Sequence, residues 1–192
     1  YLDLFQIHHV NRDTPWEEVW PAMEVLVQQG KILYAGSSNH AGWHLAQANA
    51  AARQRHFLGY VSEKCKYSLA CRHAELEILP ACQAYGMAVI PWSPTDGGYL
   101  AGVLNGVTDQ ACANPTASVR RKNAELQQRI AAGRPQLEAW ENLCRELGEP
   151  PAGVALAWLL RHPAVTAPII GPRTMDQFTG ALRALEIKLD AA

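Results

Sequence analysis

Five short polar clusters interrupt the apolar stretches of this 192-residue sequence: His8-His9, Ser37-Ser38-Asn39-His40, Glu63-Lys64, Trp92-Ser93-Pro94 and Gly171-Pro172-Arg173-Thr174. Each closes a run of residues that reads as a strand, so each falls where a parallel α/β fold gathers its chemistry. The residue types are complementary. Ser and Asn offer a hydroxyl and an amide, Trp92 offers an aromatic plate, and Arg173 stands where a helix begins and its N–H groups attract anions. Together they describe a site for a phosphorylated ligand that carries an aromatic ring. His40 and His44 are four apart at a helix start, a spacing that can place two imidazoles on one metal. No third ligand follows at a convincing spacing beyond Cys65, so no metal is expected.

The elements that must position these groups alternate. An apolar strand opens the chain at Tyr1–His8. Thr14-Pro15-Trp16-Glu17 reads as a capping box, and Trp16, Val19, Trp20, Met23, Leu26 and Val27 recur at helical spacing up to Gly30, a C-terminal glycine stop. A strand at Ile32–Gly36, a helix over about 41–55, a strand at Leu58–Val61, a helix at Glu75–Tyr85 closed by Gly86 and a strand at Met87–Trp92 come next. A loop from Ser93 to about Val119 leads to helical segments at roughly 120–132, 136–147 and 152–161. A last strand, Val165–Ile170, precedes a helix capped by Thr174-Met175-Asp176-Gln177. Five strands separated by helices predict right-handed βαβ units and a parallel sheet. No G-x-G-x-x-G follows a strand, so the open-sheet dinucleotide fingerprint is absent.

Bulk properties narrow the partners. Formal charge is −1 and no basic block occurs, against nucleic acid or a membrane surface as partner. No run approaches the ~18 apolar residues of a membrane span. Five cysteines without a C-x-x-C pair fit a reduced, cytoplasmic setting rather than a disulfide framework. The chain starts without Met, directly on a strand that needs neighbours, and material before Tyr1 or a covering partner chain is expected.

Asp3–His8, Gly30–Asn39, Ile90–Pro94 and Ile169–Thr174 resemble, in order and spacing, successive signatures of the aldo-keto reductase family. The likeness is greater to the branch holding potassium-channel β subunits and bacterial reductases. The resemblance implies an α/β parallel (β/α)₈ barrel of the TIM type, incomplete here. The chain would be one domain, the C-terminal two-thirds, carrying strands four to eight, with roughly 100 residues of strands one to three absent. It implies an NADPH-dependent oxidoreductase of aldehydes, ketones or deoxysugars. His8 would be the catalytic histidine that polarises the carbonyl. The family's Tyr, Lys and Asp would lie in the absent strands, so the chain alone is expected not to reduce carbonyls. Ser38 and Asn39 match the pair that holds the nicotinamide carboxamide, and Trp92 the ring that stacks on the nicotinamide. Ser93 begins the pyrophosphate loop, and Gly171, Arg173, Thr174 and Gln177 match the segment for the 2′-phosphate and adenosine.

Three departures weaken that cradle. Lys64 stands where the family has the Gln that contacts the carboxamide, and its cation disfavours an oxidised ring. Asp96 places an anion near the pyrophosphate unless Arg120, Arg121 or another base pairs it. Gly180-Ala181 replaces an acidic-Asn pair. The alternative expectation is therefore a redox-inactive relative with a binding or regulatory role and a degraded NADP(H) site. A small carbonyl substrate, and a homo-oligomer or the absent N-terminal segment covering the first strand, are the expected partners.

Overall fold

The computed structural model describes residues 1–104 and 124–189, which form two compact units. The first comprises 1–67, 72–92 and 163–167. It carries β1 (Leu2–Ile7), α1 (Trp16–Gln28), β2 (Ile32–Ser38), α2 (Gly42–Gln54), β3 (Tyr60–Lys64), a 3₁₀ turn (His73–Glu75), α3 (Ile78–Tyr85) and β4 (Ala88–Val89). The strands form one sheet in the order β1-β2-β3-β4, every pair parallel. The expected βαβ alternation is thus present in this unit, with all four C-terminal strand ends on one side of the sheet.

Packing explains why these segments fold as they do. Trp20, Leu45, Ala48, Ala52, Tyr60, Leu79, Cys82 and Val89 are buried together. At about 25 cal/mol per Å² of apolar surface such side chains supply most of the unit's driving force. Two polar clamps fix the layers. Trp20 donates its indole N–H to the Ala48 carbonyl at 2.9 Å. Asn49 accepts from Tyr60 N at 2.8 Å and donates to Tyr60 O at 3.2 Å, which ties α2 to the start of β3. Between β2 and β3 the register slips: two steps along β2, Ala35 to Ser37, face three along β3, Tyr60 to Glu63. Gly36 makes the slip feasible, because a Cβ there would lie 2.5 Å from Ser62 Oγ.

The second unit comprises 68–71, 93–162 and 168–192. Its described elements are a 3₁₀ turn (Asp96–Gly98), α4 (Ala124–Ala132), α5 (Arg134–Glu146), α6 (Pro151–Arg161), α7 (Met175–Leu182) and a 3₁₀ turn (Arg183–Leu185). Leu156, Ala157 and Ala184 form a buried cluster against Leu160, Ala181, Ile187 and Leu189.

Several expectations are corrected. The residue before α1 is Pro15, in extended conformation and without a side-chain cap, so Thr14-Pro15-Trp16-Glu17 is not a capping box. The expected strand Val165–Ile170 is a single parallel bridge, Val89 with Val165, extended by Thr166 N–H donating to the Val89 carbonyl at 2.9 Å. Strand pairing in Met87–Trp92 is confined to Ala88–Val89 and a bridge from Lys66 to Trp92. Arg120 and Arg121 lie outside the described residues. Among the described residues no helix is long and apolar enough to cross a membrane, and no group of three or more His, Cys, Asp or Glu could hold a metal ion.

Candidate functional site

Asn39 is the hub of the first unit's strand ends. It follows β2 directly and takes a left-handed backbone, φ 57°, which costs a non-glycine residue roughly 1–2 kcal/mol unless surroundings hold it. They do. Its N–H donates to the Lys64 carbonyl at 3.0 Å. Its side-chain amide donates to the His8 carbonyl at 3.2 Å and to Ser38 Oγ at 3.0 Å. Its Oδ1 accepts from the Trp92 indole N–H at 2.9 Å. Through its backbone N–H and its side chain together, Asn39 therefore links the ends of β1, β2 and β3 with the segment after β4. Ser38, fully buried, donates its hydroxyl to the Lys64 carbonyl at 3.0 Å. Lys66 Nζ stands 6.0 Å from the Trp92 ring centroid. His8 is exposed, with its ring 4.2 Å from that of His9. The structure thus brings together five expected site residues: His8, Ser38, Asn39, Lys64 and Trp92.

Beneath this layer lies an acid that the sequence places at a strand end, in Glu63-Lys64, without assigning it a role. Glu63 is fully buried. Burial pushes its carboxyl up to about 7, against the Ser37 hydroxyl, the His40 and Asn39 N–H groups and the Lys64 cation, which all pull it down. Ser37 Oγ lies 2.5 Å from Glu63 Oε2, and His40 N–H donates to Oε1 at 3.1 Å. Around it stand further buried polar groups. His40 Nδ1 faces the Ser38 carbonyl at 3.0 Å and so carries the proton, leaving Nε2 without a partner. Tyr60 Oη and both His44 ring nitrogens also have none. Burial lowers the pKa of His40 and of His44 from the ordinary imidazole value, which favours their neutral forms. The position of Glu63 one residue before the end of β3 is the sequence signal that could have pointed to it.

The remaining expected residues belong to the second unit. Ser93 has φ 55°, accepts from Gly97 N–H through Oγ at 2.9 Å and from Asp96 N–H through its carbonyl at 2.8 Å. Asp96 is buried and paired with Arg129, so a base other than Arg120 or Arg121 neutralises it. Arg129 also covers the Tyr99 ring at 4.8 Å. At the start of α7, Thr174 Oγ1 accepts from Gln177 N–H at 3.2 Å, and Gln177 Oε1 accepts from Arg173 N–H at 2.8 Å. Thr174 thus caps α7 through its hydroxyl, while Gln177 reaches back to the N–H of the residue before the cap. Gly171 and Arg173 are exposed. A Cβ at Gly180 would meet nothing within 4 Å, so the missing larger side chain leaves open space.

A cleft of about 410 Å³ lies elsewhere in the first unit, between the start of α1 and α2, lined by Arg12, Trp16, Trp43, His44 and Gln47 among others. It contains none of the expected site residues, and the hydrogen-bonded strand-end layer is the better candidate for chemistry.

The chain is 48% identical over 190 residues to an uncharacterized oxidoreductase, YrpG, of Bacillus subtilis, which covers 99% of this chain and 55% of that protein. It is 31% identical over 192 residues to versiconal hemiacetal acetate reductase of Aspergillus parasiticus, covering 98% of the chain and 54% of the relative. Aryl-alcohol dehydrogenase [NADP(+)] of Phanerodontia chrysosporium is 27% identical over 208 residues, covering 98% and 49%. The chain spans about half the length of these relatives. The sequence profile described as the aldo/keto reductase family matches residues 1–192. By the full span of that match, the chain belongs to the aldo/keto reductase family.

Proposed function

We propose that the protein containing this chain is an NADPH-dependent carbonyl reductase in which the chain supplies strands four to eight of a (β/α)₈ barrel. The observation that carries this reading is the Asn39 hub, which draws Ser38, Lys64, Trp92 and the end of β1 into one layer. An amide and a hydroxyl beside an indole plate have the donor and acceptor types that a nicotinamide carboxamide requires, so the residues fit that group. Bound there, the nicotinamide would supply the hydride. Asn39 and Ser38 would orient the amide, Trp92 would present its ring face, and His8 would donate a hydrogen bond to the substrate carbonyl oxygen. In the second unit, Ser93 would serve the pyrophosphate, and Gly171, Arg173, Thr174 and Gln177 the 2′-phosphate and adenosine. Asp96, neutralised by Arg129, presents no free anion to oppose a phosphate.

The test is cofactor discrimination. Arg173→Ala should weaken NADPH and spare NADH, because only the former carries the phosphate with which a guanidinium makes charge-assisted bonds. Equal losses for both cofactors would remove the assignment.

A second reading, a redox-inactive binding or regulatory protein, has one observation in its favour. Both donors of the Asn39 amide and one of its two acceptor positions are engaged internally, with His8, Ser38 and Trp92, so Asn39 can donate to a carboxamide only by giving up a present bond. Saturable NADPH binding without turnover on any aldehyde or ketone would favour it.

A further inference from the structure

The proton count around Ser37 assigns a role to Glu63. A hydroxyl carries one proton, yet Ser37 Oγ lies 2.5 Å from Glu63 Oε2 and 3.1 Å from the Ser62 carbonyl. If Glu63 is ionised, the Ser37 proton serves one of these acceptors and leaves the other. If Glu63 is protonated, its Oε2–H donates to Ser37 Oγ, and Ser37 O–H donates to Ser62. Both contacts are then made, while Glu63 Oε1 still accepts from His40 N–H at 3.1 Å. The arrangement that makes both Ser37 contacts at once has a neutral acid at position 63. The need is local: the slipped β2–β3 register places Ser62 opposite the Gly36–Ser37 step.

Ser37 and His40 flank Ser38-Asn39, the dipeptide that holds the strand-end layer. We propose that Glu63 is the positioning residue of this amide-binding turn: by gripping Ser37 with one oxygen and His40 N–H with the other, it fixes the left-handed backbone of Asn39 and, through Asn39 Oδ1, the Trp92 indole. The proposal rests on the reading that Asn39 and Trp92 hold the nicotinamide. The charged and titratable groups facing Glu63 are Tyr60 and Lys64 on its own strand, Cys82 on α3, and His40 at the turn with His44 behind it. Lys64 is the cation among them, and burial outweighs its pull on the carboxyl.

Two substitutions separate this role from mere core filling. Glu63→Gln keeps an acceptor for His40 N–H and a donor for Ser37, a permanent copy of the neutral acid. Glu63→Leu keeps the volume and loses both bonds. The full-length protein carrying ¹⁵N-labelled tryptophan gives the readout, with the Trp92 indole N–H assigned through Trp92→Phe, alongside an NADPH titration. Expected for Glu63→Gln is an unmoved indole signal and an NADPH Kd within about twofold of wild type near pH 6. Expected for Glu63→Leu is a displaced or broadened signal and a Kd about tenfold weaker, equivalent to ~1.4 kcal/mol. Should Glu63→Leu not fold, the wild-type signal must still titrate between about pH 6 and 8 while that of Glu63→Gln stays flat. A Leu variant with unchanged signal and affinity overturns the proposal, as does identical titration of wild type and Glu63→Gln. If the signals behave as expected but no form binds NADPH, the positioning role stands and the cofactor reading falls.

Discussion

Glu63→Gln also carries the account's sharpest prediction about stability. The Glu63 carboxyl is raised from an ordinary 4.5 to about 7 by burial, so between those values the folded protein holds a proton that the unfolded chain has released. The stability this contributes is fully present below about pH 4.5 and is lost as pH rises towards and through 7. At 1.36 kcal/mol per unit, the raised value corresponds to about 3 kcal/mol between acid and neutral pH. Glutamine does not titrate and preserves the hydrogen bonds of the neutral acid. Its stability relative to wild type should therefore rise by about 3 kcal/mol from pH 4.5 to pH 8. His40 and His44, whose lowered pKa values destabilise the fold as pH falls below 6.5, are common to both proteins and cancel in the difference. Urea unfolding of the pair across this range, read as midpoint times slope, is the assay. Parallel curves, with a difference constant within about 0.5 kcal/mol, would refute a neutral buried acid at this position.

Three further outcomes follow from named contacts. Arg129→Ala removes the guanidinium paired with the buried Asp96 carboxylate; because Arg129 is itself part-exposed, the expected loss is about 1–3 kcal/mol rather than the full cost of breaking a buried pair, measured by chemical denaturation, and an unchanged midpoint would deny the pair any role. On the proposed cofactor placement, Lys64→Gln would remove a cation near the carboxamide and should strengthen NADP⁺ relative to NADPH by about 0.5–1 kcal/mol in a part-exposed setting; an unaltered ratio of the two dissociation constants would separate Lys64 from the ring. β1 is an edge of the described sheet and leaves Tyr1 and Leu2 exposed, so the 192-residue chain on its own should associate; sedimentation as a stable monomer with slow amide exchange in Leu4–Ile7 would argue against that.

Much of the first unit was legible because its signals are local. An apolar run marked β1, helical spacing up to a glycine stop marked α1, Gly86 marked the end of α3, and the polar residues at the strand ends marked the layer that Asn39 assembles. What was not legible depended on partners distant in sequence. Glu63, between Ser62 and Lys64, resembles any half-exposed strand carboxylate until the β2–β3 register puts Ser37 and His40 against it. Asp96 is paired by Arg129, 33 positions away. Val165–Ile170 has strand composition, yet beyond the Val165 bridge the pairing is limited to Thr166 against Val89, a limit that intrinsic preference cannot foresee. Thr14 and Glu17 had capping-box spacing, but the helix begins one residue later than that spacing requires.

The central claim is that the Asn39 layer holds a nicotinamide. Fluorescence titration of the full-length protein with NADPH, repeated on Asn39→Ala, tests it most directly. Loss of the side-chain amide removes hydrogen bonds to the carboxamide and releases Trp92, so the account predicts saturable binding by the wild type and at least about a tenfold weaker Kd in the variant. Equal affinity in both proteins, or no binding by the wild type, would contradict it.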